Sequence, residues 1–197
     1  MEIRFATLED SKELLKIYGY YVKNTAISFE IDIPSLKVFS QRIEEIQKKY
    51  PYIVAEEDGV ILGFAYANQV GARQAFNWSV ETTIYINKES RKQGVGKKLY
   101  KTLEKLLEKM NVQNLYALIA YPVQEDEYLT KDSVVFHQHL GYECIGELKK
   151  CGYKFGNWYS LRWMEKHIKD HQAIPDPVIN INELYSLPTN GLMIELP

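Results

Sequence analysis

The sequence is short of cysteine, of long apolar runs and of any excess of positive charge, and each shortage excludes a class of protein. Two cysteines, Cys144 and Cys151, cannot build a disulfide scaffold, and their spacing fits neither a CxxC redox pair nor a paired zinc knuckle. Both are read as reduced thiols. The apolar run from Val60 to Ala67 falls far short of the ~20 residues that cross a bilayer, and Met1-Glu2-Ile3-Arg4 opens on charge rather than on a signal-peptide core. A cytoplasmic protein with no membrane partner is expected. Lysine and arginine number 24 against 26 aspartates and glutamates, a formal charge of −2, so no whole-surface basic field for nucleic acid is available. Histidine is equally scarce: His137 and His139 stand two residues apart, off one helix face, and His167 and His171 lie near the tail, so no metal site is expected.

What is present is an ordinary folded chain. Its 197 residues, 46% hydrophobic and 25% charged, suit one domain with an appendage. Residues 3–5 alternate like a strand, and Thr7 to Asp10 offers caps before Leu14, Leu15, Tyr18, Tyr21 and Val22 at helical spacing. Pro34-Ser35 opens a second helix carrying Leu36, Phe39, Ile43 and Ile46. Asp58-Gly59 between two β-rich runs signals a hairpin. Trp78 to Asn87 reads as a strand, followed by a glycine loop and a helix with Val95, Leu99, Leu103, Leu106, Leu107 and Met110 on its apolar face. Leu115 to Ala120 makes a further strand, residues 133–140 a short helix stopped by Gly141, and residues 142–149 and 158–166 two closing strands joined through the turn Cys151 to Gly156. The order implies an α/β domain over residues 1–168. Four of the seven prolines fall in the last 27 residues, among many apolar side chains, so residues 169–197 are expected as an arm packed on the domain or on a partner subunit.

The segment Arg91-Lys92-Gln93-Gly94-Val95-Gly96, between strand and helix, has the chemistry of an anion cradle. A helix start leaves its first N–H groups unpaired with partial positive charge, and glycine lets them converge on a phosphate. Leu99 stands where a dinucleotide fingerprint needs its third glycine, and the P-loop spacing is also absent. Six basic residues against one acidic between Lys88 and Lys101 give a local +5, leaving −7 for the remainder. Glu81 is a lone carboxylate in the otherwise apolar and hydroxyl-bearing run WSVETTIYI; such a residue is ordinarily solvated or paired with a buried cation.

Together with Tyr18, Gly63 to Ala67, Val80-Glu81, Ile84 to Ile86, His137, Leu140-Gly141-Tyr142 and Gly152 to Trp158, this loop resembles the GNAT N-acetyltransferase superfamily, in its phosphinothricin and methionine sulfone N-acetyltransferase branch, over about residues 2–168. The resemblance implies a mixed, mostly antiparallel twisted sheet flanked by helices, acetyl-CoA as co-substrate, a small amino-acid-like amine as acceptor, and a homodimer. It implies that the backbone of Ile84, Tyr85 and Ile86 pairs with the pantetheine arm, and that Lys92, Gln93, Gly94, Val95, Gly96 and Lys97 hold the pyrophosphate. Glu81 becomes the expected base, since an alkylamine must lose a proton before it attacks. His137 stands where wider family members often carry a tyrosine that protonates the departing thiolate, and an imidazole titrates near neutrality. Phe29, Arg73, Trp78 and Lys154 are the expected acceptor-pocket residues, with Arg73 pairing a carboxylate. Two departures stand out: the stretch Tyr121 to Asp132 is longer than the branch's loop and lacks the asparagine that touches the cofactor there, leaving that contact unassigned, and Trp158-Tyr159-Ser160 replaces the branch's usual late motif, which bears on substrate choice. A peptide acetyltransferase and a non-catalytic acyl-CoA-binding module are the alternative functions.

Overall fold

The computed structural model describes residues 1–185. Its strands are β1 (Glu2–Phe5), β2 (Tyr52–Glu57), β3 (Val60–Gln69), β4 (Ser79–Ile86), β5 (Asn114–Tyr121), β6 (Glu143–Lys154) and β7 (Asn157–His167). Helices are α1 (Ser11–Asn24), α2 (Leu36–Gln47), α3 (Val95–Lys109), α4 (Asp132–His139) and the short α5 (Ile181–Tyr185). All seven strands form one sheet in the order β1-β2-β3-β4-β5-β7-β6. Every neighbouring pair is antiparallel except β4 with β5.

Local chemistry places the boundaries. Ser35 caps α2 by accepting the N–H of Val38 at 3.3 Å. Asp58 and Gly59 both take positive φ, 51° and 78°, as the tight β2–β3 hairpin requires. Gly94, at φ 83°, turns the chain into α3. The expected turn from Cys151 to Gly156 is corrected: β6 runs on to Lys154, and only Phe155 (φ 49°) and Gly156 (φ 79°) turn. A register shift between Leu148 and Gly152, with Lys150 at φ 48°, absorbs the irregularity and lets the ladder resume.

Two cores sandwich the sheet. On one face α3 buries Leu99, Leu103, Leu106 and Leu107 against Val80, Ala65, Leu115 and Met164. On the other, α1 and α2 set Leu14, Tyr18, Val22, Phe39 and Ile43 against Tyr52, Val54 and Phe64. Beyond β7 the chain lies on its own domain. The N–H of Ile179 donates to the Met110 carbonyl and that of Ile181 to the Lys49 carbonyl, Ile181 is buried, and Tyr185 meets Phe5 edge to face at 5.3 Å. Leu187, Pro188, Leu192, Ile194 and Pro197 of the expected arm lie outside the described residues.

Candidate active site

The one parallel junction opens the site. β4 and β5 pair only where Ser79, Val80 and Glu81 meet Asn114, Leu115 and Tyr116, and then diverge. The gap forms a cleft of about 800 Å³. Ile84, Tyr85, Ile86, Lys92, Gly94, Val95, Gly96, Lys97 and His137 line it; Gln93 does not, and its side-chain amide donates to the Glu89 carbonyl at 3.0 Å. Asn87 turns its N–H to the Leu62 carbonyl of β3 at 2.8 Å. Strand alternation therefore turns the main-chain groups of Ile84 and Ile86 away from β3 and toward the gap, while those of Tyr85 stay within the sheet. The Ile86 carbonyl already accepts the Tyr21 hydroxyl at 2.6 Å. Arg91 lies over the Tyr21 ring, 4.9 Å from its centre, and braces the loop on α1.

These residues fit acetyl-CoA. Free strand amides suit a peptide-like arm, and the N-terminus of α3, entered through left-handed Lys92 and Gly94, suits its phosphates. A Cβ on Gly96 would stand 3.1 Å from the Phe136 ring, so α4 approaches this helix start as closely as glycine allows.

His137 stands deeper in the cleft, buried on α4, with both ring nitrogens engaged. Nδ1 lies 2.7 Å from the Ser133 carbonyl, which can only accept, so Nδ1 carries the proton. Nε2, 2.8 Å from the Tyr100 hydroxyl, is then the acceptor. Burial brings the imidazole down to about 4, with the Ser133 bond opposing, so the ring is neutral near pH 7. This arrangement runs against the expectation that His137 protonates the departing thiolate: its one proton is committed to a backbone carbonyl. It orients Tyr100, whose hydroxyl also approaches Thr82 Oγ1 at 3.3 Å, as does that of Tyr142 at 3.1 Å.

Glu81 occupies the point of divergence. Alternation along β4 puts its side chain with those of Thr83 and Tyr85, on the α1 and α2 face of the sheet. Among the described residues no hydrogen bond or ion pair engages its carboxylate, and burial raises its pKa above the ordinary 4.5. A half-buried, unpaired carboxylate on the last residue at which β4 pairs with β5 is equipped to take a proton.

The sequence matches the acetyltransferase (GNAT) domain family over residues 3–163. The chain belongs to the GNAT acetyltransferase family. It is 31% identical to the phosphinothricin N-acetyltransferase of Streptomyces viridochromogenes over 93% of this chain and 96% of that protein. It is 27% identical to the methionine sulfoximine/methionine sulfone acetyltransferase of Salmonella typhimurium over 89% of this chain and 99% of that one. The solved structure of a phosphinothricin acetyltransferase from Sinorhizobium meliloti, in complex with acetyl-CoA, superposes with a TM-score of 0.80 at 29% identity, covering 88% of this chain and 92% of the other.

In this GNAT chain the four residues expected to hold the acceptor have the following surroundings. Lys154 is buried, and its ammonium donates to the carbonyls of Val22 and Ser28, both at 2.7 Å. It ties the end of α1 to the following loop, and its pKa is lowered by burial. Phe29 packs on bare backbone, where a Cβ on Gly152 would come within 2.4 Å of its ring. Trp78 lies at the closed end of the β4–β5 junction, its indole N–H donating to the Asp176 carbonyl at 2.8 Å. Arg73 is exposed in the β3–β4 loop and does not line this cleft.

Sequence reasoning missed Tyr100, although its spacing to Leu103 and Leu107 marks it as facing inward from α3. It also left the stretch between Tyr121 and Asp132 unassigned. That stretch is a compact turn: Asp126 accepts the N–H groups of Tyr128 and Leu129 and the Tyr159 hydroxyl, and Thr130 and Asp132 reach the cleft wall.

Proposed function

We propose that the protein transfers acetyl from acetyl-CoA to the primary amine of a small amino-acid-like substrate, with Glu81 as base. The observation that carries this reading is the unpaired Glu81 carboxylate, raised by burial, at the point where β4 and β5 part. Acetyl-CoA supplies the thioester and departs as the thiol. Glu81 takes one proton from the substrate ammonium, directly or through a water, and passes it to solvent. The backbone N–H of Ile84, free of β3, stabilises the charge that develops on the carbonyl oxygen. The nitrogen sheds its second proton to the sulfur as the C–S bond breaks, so the reaction needs no proton from neutral His137. Tyr100 and His137 act as positioning residues that fix the cleft floor.

Glu81→Gln is expected to lower kcat by about 10²- to 10⁴-fold while CoA affinity by calorimetry stays within about threefold. Parental thiol release by that variant would remove Glu81 from the mechanism. The names of the relatives support a substrate of the phosphinothricin or methionine sulfone type. A homodimer in the cytoplasm belongs to the same proposal. Exposed Ile145 and Leu148 on the edge strand β6 support the dimer, and sedimentation velocity tests it. Among the described residues no helix is long and apolar enough to cross a membrane.

A further inference from the structure

Beyond Glu81 and Tyr116 the two central strands pair only with their outer neighbours, β4 with β3 as far as Ile86 and β5 with β7 as far as Tyr121. One side chain reaches back across the parting. Thr82, the next residue on β4 and 3% exposed, donates from Oγ1 to the Tyr116 carbonyl at 3.1 Å. The same oxygen stands 3.1 Å from the Tyr142 hydroxyl and 3.3 Å from that of Tyr100. Tyr100 lies one turn after Gly96 on α3 and lines the cleft together with Thr82. A single hydroxyl thus joins β4, β5, the helix whose start suits the phosphates, and the segment that follows α4.

The protons of this cluster have one arrangement. His137 gives its Nδ1 proton to the Ser133 carbonyl, Tyr100 gives its proton to Nε2, and Thr82 gives its own to the Tyr116 carbonyl. Tyr142 must then donate to Thr82 Oγ1. Every proton meets an acceptor, two of the acceptors are backbone carbonyls that cannot rotate, and all of these side chains are buried. The rings hold the same geometry: Tyr100 meets His137 and Tyr142 edge to face at 5.2 and 6.0 Å, and His137 meets Tyr142 at 5.3 Å. Turning any one hydroxyl away strands a buried partner, so the splay of β4 from β5 and the placing of α3 beside it are set together.

We infer that Thr82 is a positioning residue for the cofactor: its hydroxyl fixes where β4 and β5 part, and so keeps the free main-chain groups of Ile84 and Ile86 in register with the phosphate loop at the start of α3. The inference needs acetyl-CoA in this cleft but does not need Glu81 as base. Calorimetry measures binding of CoA, and of 3′-phosphoadenosine 5′-diphosphate, which carries the phosphates without the pantetheine arm; urea unfolding measures stability. Two comparisons isolate the hydroxyl: Thr82→Val against the parent, at nearly equal volume, and Thr82→Ala against Thr82→Ser. In both, loss of the hydroxyl is expected to raise the CoA Kd by about tenfold, while Thr82→Ser stays within about threefold of the parent. The Kd of the diphosphate should change by no more than about twofold, because it engages the loop without the strand. A merely structural hydroxyl would lower the urea midpoint and leave the CoA Kd of the folded protein where it was. If Thr82→Val does not fold, the alanine and serine pair still reads the hydroxyl alone. An unchanged CoA Kd in the folded variants that lack the hydroxyl, or equal losses for CoA and the diphosphate, would overturn the inference. Parental CoA affinity in Thr82→Val beside lost turnover in Glu81→Gln would sink Thr82 and leave the base in place. If the parent does not bind CoA at all, the placing of the cofactor fails and this inference fails with it.

Discussion

On the α3 side of β4 the cleft is shaped by main-chain groups, whereas on the α1 and α2 side it is walled by side chains gathered from five separate segments. The first region needs a strand that parts from its neighbour and a helix that starts on a left-handed glycine. Both follow from a few adjacent residues, and any apolar side chain can stand at Ile84 or Ile86 without changing what the backbone offers. The second needs Tyr18 from α1, Arg42 from α2, Tyr52 from β2, Tyr66 and Asn68 from β3 and Tyr85 from β4 to meet. The difference teaches where constraint and freedom lie: a cleft shaped by backbone tolerates changes of side chain, and one walled by side chains is reshaped one residue at a time.

Three variants test this division away from Glu81, in falling order of effect. His137 is held near 4 in the folded chain, against 6.5 for an ordinary imidazole. The unfolded chain therefore takes the proton first as pH falls, and the stability this represents is complete above pH 6.5 and lost between 6.5 and 4. It amounts to about 3 kcal/mol at most. Urea midpoints at pH 7.5 and 4.5 should fall less in His137→Gln than in the parent, and an equal fall in both would show that His137 does not titrate as described. Lys154→Met leaves two buried carbonyls without a donor and should cost about 2 kcal/mol in the urea midpoint. Its amine KM should stay within about twofold, since it is read as a structural tie; a large rise in KM alone would return Lys154 to the acceptor site. Trp78→Phe removes one hydrogen bond to the C-terminal segment and should cost about 1 kcal/mol with kinetics unchanged. A selective loss of amine affinity would instead place Trp78 at the substrate.

These outcomes bear on how far the sequence could be read. The alternation and turn chemistry of Asp58-Gly59, Ser35 and Gly94 are local, so the helices, the hairpin and the phosphate loop were legible residue by residue. The resemblance supplied the mixed, mostly antiparallel sheet; the parting of β4 from β5 appears only in the folded chain, because no local pattern reveals it. The surroundings of the residues expected to hold the acceptor were not legible for a physical reason. Lys154 and Trp78 have the residue types of a binding site, but their polar atoms meet carbonyls contributed by residues 132 and 98 positions away. His137 was singled out correctly as a residue of the cleft, yet its protonation is decided by Ser133 and Tyr100, which only the folded chain brings to its two nitrogens.

A crossed kinetic comparison tests the account most directly: KM for acetyl-CoA and kcat, each measured in Gly94→Val and in Glu81→Gln. Gly94 holds φ 83°, so a β-branched residue there strains the helix start by about 1–2 kcal/mol and misplaces the amides beneath the phosphates. The account predicts that Gly94→Val raises the acetyl-CoA KM with kcat little changed and that Glu81→Gln lowers kcat with the acetyl-CoA KM little changed. A fall in kcat alone for Gly94→Val, or a rise in the acetyl-CoA KM alone for Glu81→Gln, would contradict it, because binding and proton removal would then not divide as described.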